Sequence, residues 1–270
     1  MKHLLTSALA ICMSIAVFAQ TADQWFETAY AKYQSGDYAG AVRDYTECIK
    51  LAPDYQQAYY NRGLSNYYTG NYSAAAFDFD QVTKLSPGDA EAYYWKGISM
   101  YDGGDKQGAI AAYSKAIYYD SGYIDAYFER GFTKHDLGMY AEAVEDFNRV
   151  LEMDPSDVDA YYNRGLSNYN LENRELALAD FKKVTQLDPS DQDAWYQIGY
   201  IYNDQGSYND AIEAYNKVIA LNPQDGDAYN ERAYAYYNLY MDEEACRDWK
   251  KGMEVGDENA TSQYNDKCNK

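Results

Sequence analysis

The stretch Ala58-Tyr59-Tyr60-Asn61-Arg62-Gly63-Leu64-Ser65-Asn66-Tyr67 returns as Ala160-Tyr161-Tyr162-Asn163-Arg164-Gly165-Leu166-Ser167-Asn168-Tyr169, 102 residues later. That distance is three times 34, and weaker copies fill the interval, with Ala-Tyr or Ala-Trp pairs beginning at Ala92, Ala126, Ala194 and Ala228. A fixed period in this range constrains the fold more than any local pattern. Each copy must be one supersecondary unit, too small to bury its apolar stripe without its neighbours.

Other positions keep the same step. Gly63, Gly97, Gly131, Gly165 and Gly199 are 34 apart, with Ala29 and Ala233 at the ends of the series. Ala41, Ala75, Ala109, Ala143, Ala177, Ala211 and Ala245 follow it without a gap, and Pro53, Pro87, Pro155, Pro189 and Pro223 fall in step. Seven copies fit over 22–259, as 22–55, 56–89, 90–123, 124–157, 158–191, 192–225 and 226–259. The copies also pair three apart, as in Val82-Thr83-Lys84-Leu85 against Val184-Thr185-Gln186-Leu187. A duplicated three-repeat block explains that pattern.

Within each copy the apolar spacing predicts two helices. Trp25, Ala29 and Tyr33 share one helical face, Ser35-Gly36-Asp37 makes a turn, and Ala41, Tyr45, Cys48 and Leu51 share the next face up to Pro53. Proline stops the second helix, because it lacks an N–H and clashes with the preceding turn. Small residues such as Gly63 and Ala75 let the two helices approach closely.

Trp195, Ile198-Gly199, Tyr202, Ala211, Tyr215 and Pro223 together resemble the tetratricopeptide repeat. The resemblance covers all but the first 21 and last 11 residues. It implies an all-α fold, a right-handed superhelical solenoid of antiparallel helix pairs (an α-α superhelix). It also implies that residues 260–270 form a capping helix over the last repeat. The departures are local: Ser121 stands for Pro in the third repeat, and Glu172 and Tyr240 stand for the turn glycine in the fifth and seventh.

Residues 1–19 are of another kind. Lys2 and His3 precede an apolar run from Leu4 to Ala19 that ends in small residues, the pattern of a secretory signal peptide cleaved after Ala19. The run is shorter than the roughly 20 residues of a spanning helix. A lipidated Cys12 fits less well, since Ile11 stands where a small residue is expected. The chain is therefore expected to be exported, to the periplasm or beyond, with no membrane insertion after cleavage.

The net charge of −20 repels phosphate backbones and anionic lipid surfaces, which argues against nucleic acid as a partner. Beyond the leader, His135 is the one histidine, so a His-rich metal site or a nucleophile–base set has too few parts. It stands in a series otherwise mostly tyrosine. No Gly-rich phosphate loop, Gly-x-Ser-x-Gly or His-Glu-x-x-His is present. The acids at repeat junctions, Asp154, Asp157, Asp159, Asp188, Asp191, Asp193, Asp225 and Asp227, lack the calcium-loop pattern and suit helix N-termini instead. The reading is a non-enzymatic chain with no catalytic residues, metal or cofactor.

One set of charges co-occurs. Arg62, Arg130, Arg164 and Arg232 replace the family's Leu before the small residue, and the second helices of those repeats carry Asp78, Asp146, Asp180 and Asp248. The third repeat has Lys96 with Ala112 and the sixth has Ile198 with Ala214, while Asp44 in the first faces Thr28. The co-occurrence predicts structural Arg–Asp pairs between the two helices of one repeat.

In this family the first helices line the concave groove. The resemblance places Phe26, Tyr60, Tyr94, Phe128, Tyr162 and Tyr196 there in one row. A second row holds Tyr30, Leu64, Ile98, Phe132, Leu166, Tyr200 and Tyr234, and a third holds Tyr33, Tyr67, Tyr101, His135, Tyr169 and Tyr237. Acids edge them, among them Glu91, Asp125, Asp159 and Asp193. About half of the rings are expected to fill the interhelical core. The family's clamp for C-terminal carboxylates uses Lys, Asn and Arg, whereas the matching positions here are aromatic or acidic.

Two functions remain open: an exported scaffold holding a peptide or protein segment in an aromatic, acidic groove, or a carbohydrate or small-ligand binder using the same rings. Finally, Cys246 lies on the last second helix and Cys268 on the implied cap, 22 residues apart. A cap folded back on that helix would pair them, and export permits the bridge. Cys48, on an apolar helical face, is expected to be a buried thiol.

Overall fold

The computed structural model describes residues 20–269; the expected leader at 1–19, with Cys12, lies outside the described residues. Among those described, regular structure consists of fifteen α-helices. The chain divides into two compact units, one ending at Pro87 and the other beginning at Gly88.

The first unit holds α1 (Ala22–Gln34), α2 (Tyr38–Leu51), α3 (Gln56–Tyr68) and α4 (Tyr72–Leu85). A reciprocal cap starts it: the Gln24 amide nitrogen donates to Thr21 Oγ1, and the Thr21 amide to Gln24 Oε1, at 3.3 and 2.9 Å. Two otherwise orphaned N–H groups are thereby satisfied. The chain reverses at Gly36 and Gly70, whose φ of 82° and 77° suit a residue without a Cβ. Tyr45 fills the core of the first pair with Ala29 and Ala41, and Cys48 is a fully buried free thiol. In the second pair the Phe79 ring lies so near Gly63 that a Cβ there would stand 3.0 Å from it.

The second unit holds α5 (Ala90–Asp102), α6 (Lys106–Tyr119), α7 (Ile124–Asp136), α8 (Tyr140–Met153), α9 (Val158–Asn170) and α10 (Arg174–Leu187). It continues through α11 (Gln192–Asp204), α12 (Tyr208–Leu221), α13 (Gly226–Asn238), α14 (Asp242–Glu254) and α15 (Glu258–Lys267). Each first helix packs on its own second helix, each second helix on the next first helix, and lighter contacts join α5 to α7, α7 to α9 and α11 to α13. The core repeats one device. A buried ring from the second helix (Tyr113, Phe147, Phe181, Tyr215 or Trp249) faces a small residue of the first (Gly97, Gly131, Gly165, Gly199 or Ala233). Each such ring contributes about 1.5–3 kcal/mol of apolar burial.

Local chemistry explains the departures from the repeat. Helix α6 ends in register without its proline; Asp120 Oδ1 accepts the Gly122 amide at 2.9 Å, the turn that Asp154, Asp188 and Asn222 also make beside their prolines. Glu172 and Tyr240 adopt the left-handed backbone of the glycines they replace, with φ of 62° and 61°. The junction acids cap helices: Asp157, Asp191 and Asp225 accept the amides of Ala160, Ala194 and Ala228 at 2.8, 2.7 and 2.8 Å. Helix α15 closes the array against α14, with Ala260 packed so tightly on Gly252 that a Cβ there would come within 2.6 Å of the Ala260 Cβ. Cys246 and Cys268 are joined across this contact, with Cα atoms 5.6 Å apart.

No helix among the described residues is long and apolar enough to cross a membrane.

Candidate functional site

The four arginines meet the four aspartates of their own repeats. Arg62 donates from Nε to Asp78 Oδ2 at 3.0 Å and from Nη2 to Oδ1 at 2.6 Å. The same fork joins Arg130 to Asp146, Arg164 to Asp180 and Arg232 to Asp248. All four carboxylates are buried. For Asp78, burial outweighs the help from Arg62 and Asn66 and keeps its pKa above the ordinary carboxylate range. Each guanidinium also lies over the tyrosine one turn earlier, Tyr59, Tyr127, Tyr161 or Tyr229, at 5.3–5.6 Å. The remaining Nη1 reaches back to the preceding second helix: to Thr46, Ser114, Asn148 and Asn216 at 3.1, 3.0, 2.6 and 2.5 Å. The pairs therefore fix both the two helices of a repeat and the joint with the repeat before it. Asp44 has a different partner, the Lys32 ammonium at 2.6 Å.

In each unit the three rows of the sequence reading stand on the first helices. First-row rings are half-buried and shared with the core. In the first unit Phe26 and Tyr60 contact Tyr45 and Phe79, both with ring centroids 5.6 Å apart. In the second, Tyr94, Phe128, Tyr162 and Tyr196 contact Tyr113, Phe147, Phe181 and Tyr215 at 6.1, 5.7, 5.4 and 5.6 Å. Second-row Tyr30, Tyr200 and Tyr234 are exposed, while Phe132 is half-buried. Third-row Tyr67, Tyr101 and Tyr169 are half-buried. Glu91, Asp125, Asp159 and Asp193 are exposed in the first turns of α5, α7, α9 and α11, where carboxylates complement the helix dipole.

Polar links cross from one first helix to the next. The Tyr101 hydroxyl donates to Asp136 Oδ2 at 2.5 Å, and Lys106 Nζ donates to the same oxygen at 2.9 Å. Burial opposes ionisation of Asp136, but these two donors win and hold its pKa below the ordinary value. His135 Nδ1 lies 2.9 Å from Ser167 Oγ, and that hydroxyl already donates to Asn163 O at 2.8 Å. Burial lowers the His135 pKa, with Asp136 opposing.

Within the second unit, α11, α13, α14 and α15 line an open cavity of about 390 Å³. Tyr200, Asn203, Asp204, Asn230, Glu231 and Tyr234 line it, with Trp249, Gln263 and Lys267. Asn203 Nδ2 donates to the Glu231 carbonyl at 3.1 Å and approaches Glu231 Oε2 at 3.4 Å. Burial pushes the Glu231 carboxyl above its ordinary pKa; Asn203 opposes this, while Asp227 and Asp257 add to it.

Of this cavity, the sequence reading singled out only Tyr200 and Tyr234. Its signal was nevertheless present, because Asn203 and Asn230 stand where the other repeats mostly place third-row and first-row rings. The backward reach of the arginines was also missed, although a polar residue stands 16 positions before each of the four. A paired fork is visible as a co-occurrence within one repeat, whereas a third arm to the previous repeat requires the stacking geometry. No three His, Cys, Asp or Glu side chains among the described residues come together as metal ligands.

Comparisons with known proteins agree with this architecture. A family model described as TPR repeat matches residues 29–70, 134–172 and 199–239. Models described as tetratricopeptide repeat match 65–124, 158–191 and 181–213. No curated protein sequence matches the chain. Among solved structures, MamA protein is 28% identical with a TM-score of 0.60, over 64% of this chain and 94% of its own. YrrB, a TPR protein with an unusual peptide-binding site, is 23% identical with a TM-score of 0.63, over 70% and 99%. The C-terminal part of a TPR repeat-containing protein from Cytophaga hutchinsonii is 18% identical with a TM-score of 0.78, over 88% and 98%. The last two bear on the fold alone. With the 34-residue register, the helix pairs and these matches in agreement, the chain belongs to the tetratricopeptide repeat family.

Proposed function

We propose that this chain is an exported, non-enzymatic scaffold that holds an extended or helical protein segment on the face of its first helices. The observation that carries the reading is the coincidence, on one face of the second unit, of a ring row (Tyr94, Phe128, Tyr162, Tyr196) with exposed carboxylates in the neighbouring first turns. Tyrosine suits such a role, since it loses little rotamer freedom on binding and offers both a ring and a hydroxyl. The acids favour a ligand with apolar or aromatic side chains flanked by Lys or Arg. The apolar, small-residue-terminated leader supports export to the periplasm.

Affinity capture from the native host, with the mature chain as bait, tests the reading. Truncating Phe128 or Tyr162 to Ala is expected to cost about 2 kcal/mol against a captured segment if either is a hot spot. Unchanged affinity in both variants, with loss on changing the opposite face, would reject it. Retention of glycans instead of peptides would favour a carbohydrate ligand on the same rings.

A further inference from the structure

The cavity between α11, α13 and α15 has a counterpart one duplicated block earlier, and the difference between the two is informative. Asp102, Tyr113 and Glu129 stand 102 residues before Asp204, Tyr215 and Glu231. Glu129, like Glu231, is held above its ordinary pKa by burial, with Asp102 adding to the effect. In the earlier copy, however, Tyr101 and Phe128 occupy the positions of Asn203 and Asn230. Tyr101 crosses to Phe132 at 6.0 Å and donates to Asp136. In the later copy both rings are replaced by amides, and the space lies open beside the carboxylate.

The groups left at that space are mostly acceptors between aromatic walls. Asn203 is only 8% exposed and lines the cavity with its side chain, but its Oδ1 is itself buried, close to the equally buried Tyr215 hydroxyl. Its Nδ2 is committed to Glu231, and Asn230 Nδ2 approaches Glu231 Oε1 at 3.4 Å. Tyr200 and Tyr234, 42% and 46% exposed, present ring surface to the same space. Lys267 does not neutralise Glu231. Its ammonium sits over the Tyr237 ring at 3.9 Å and the Trp249 ring at 5.2 Å. Asp204 is engaged by Arg174.

We propose that this cavity is a seat for one cationic group, an ammonium or a guanidinium, accepted by the Glu231 carboxylate, which Asn203 and Asn230 hold in place, and flanked by the Tyr200 and Tyr234 rings. A desolvated cation gains from a charge-assisted bond to the carboxylate and from the ring faces together. At about 390 Å³ the cavity lies at the lower end of the range for ligand pockets, about 300–1,000 Å³, a size suited to one long side chain. The proposal rests on the reading of this face as a ligand surface and names the chemistry at one end of it. It also sets a pH dependence. The groups facing Glu231 include Tyr196 and Asp204 from α11, Tyr215 from α12, Asp227 from α13, Asp257 ahead of α15 and Lys267 on α15. Burial first, with Asp227 and Asp257 adding, opposes its ionisation, so cation binding strengthens as pH rises through the elevated Glu231 pKa and weakens below it.

The test uses the mature chain and two small probes, N-acetyl-arginine methylamide and its neutral isostere N-acetyl-citrulline methylamide, titrated at millimolar concentrations by NMR. The arginine probe is expected to bind about tenfold more tightly than the citrulline probe. Glu231→Gln should abolish that preference, and Tyr234→Ala, at an exposed position, should weaken the arginine probe without unfolding the chain. Glu175→Gln, at an exposed position on another helix, should change nothing. Equal binding of the two probes, no binding of either, or a preference that survives both substitutions overturns the proposal. If probe selectivity is absent while segment capture still depends on Phe128 and Tyr162, the cavity proposal alone fails. Selectivity without that dependence leaves the cavity standing and removes the wider reading.

Discussion

Arg164 grips Asp180 through two parallel hydrogen bonds, Nε to Oδ2 at 3.0 Å and Nη2 to Oδ1 at 2.6 Å, while its Nη1 holds Asn148 of the preceding repeat. The Arg164 side chain is 22% exposed and that of Asp180 6%, so the pair lies closer to the buried than to the surface regime. Asp180→Ala strands a guanidinium and should cost on the order of 3 kcal/mol. An exposed pair would cost about 1 kcal/mol or less. The double variant with Arg164→Leu should recover part of the loss. Thermal melts of the two single variants and the double variant decide the matter, and near-zero additive effects would mark these as ordinary surface charges.

Glu172 and Tyr240 hold left-handed backbone at turns where the other repeats have glycine. Restoring glycine should stabilise the chain by about 1 kcal/mol at each site, because the left-handed region penalises a Cβ. Gly138→Ala, at φ 75°, should destabilise by a similar amount. Denaturant melts of the three variants check both signs. A loss of stability in Glu172→Gly would contradict the argument.

His135 has its pKa lowered by burial, so the folded state prefers the neutral ring. Between the lowered folded pKa and the unfolded value near 6.5, the unfolded chain binds the extra proton. The His135 contribution to stability is thus complete above about pH 6.5 and is lost as pH falls toward the folded pKa. His135→Tyr, the residue most other repeats carry there, should flatten this part of the stability–pH profile. An identical profile in the variant would show that the imidazole does not titrate differently on folding.

The Cys246–Cys268 bridge ties α15 to α14. Closing a loop of this length is worth roughly 3 kcal/mol. Because a repeat array opens locally, the loss on reduction should appear first as faster amide exchange in α15, and only later in α5–α10. Mass spectrometry of the unreduced protein with both thiols free would remove the bridge from the account.

The exposed acids Asp125 and Asp159 are expected to act on rate more than on affinity. Changing both to Asn should slow association with a basic segment and flatten its salt dependence, with dissociation little altered. Stopped-flow measurements at two ionic strengths distinguish this from direct contact, which would raise the dissociation rate instead.

Repeat register, helix ends and the small residues that let paired helices approach were legible before any coordinates, because each depends on residues within one 34-residue copy. Gly63 was expected to work with Ala75, whereas packing sets it against the Phe79 ring. The Arg–Asp forks were legible for the same reason, since both partners change together within a repeat. What lay beyond the sequence was packing, both within a helix pair and between copies. Whether first-row rings such as Tyr162 belong to the core or to the surface depends on how far the second-helix ring, Phe181, reaches across the pair. The Nη1 contact from Arg164 to Asn148 exists only once one repeat is stacked on another. The cavity beside Glu231 is the clearest example. Two asparagines on different helices leave a space only because tertiary packing brings α11, α13 and α15 together around it. Periodicity determines which residues face inward, because side-chain direction follows helix geometry; packing between repeats decides which of them touch, because that distance is set by the volumes of every residue in the joint.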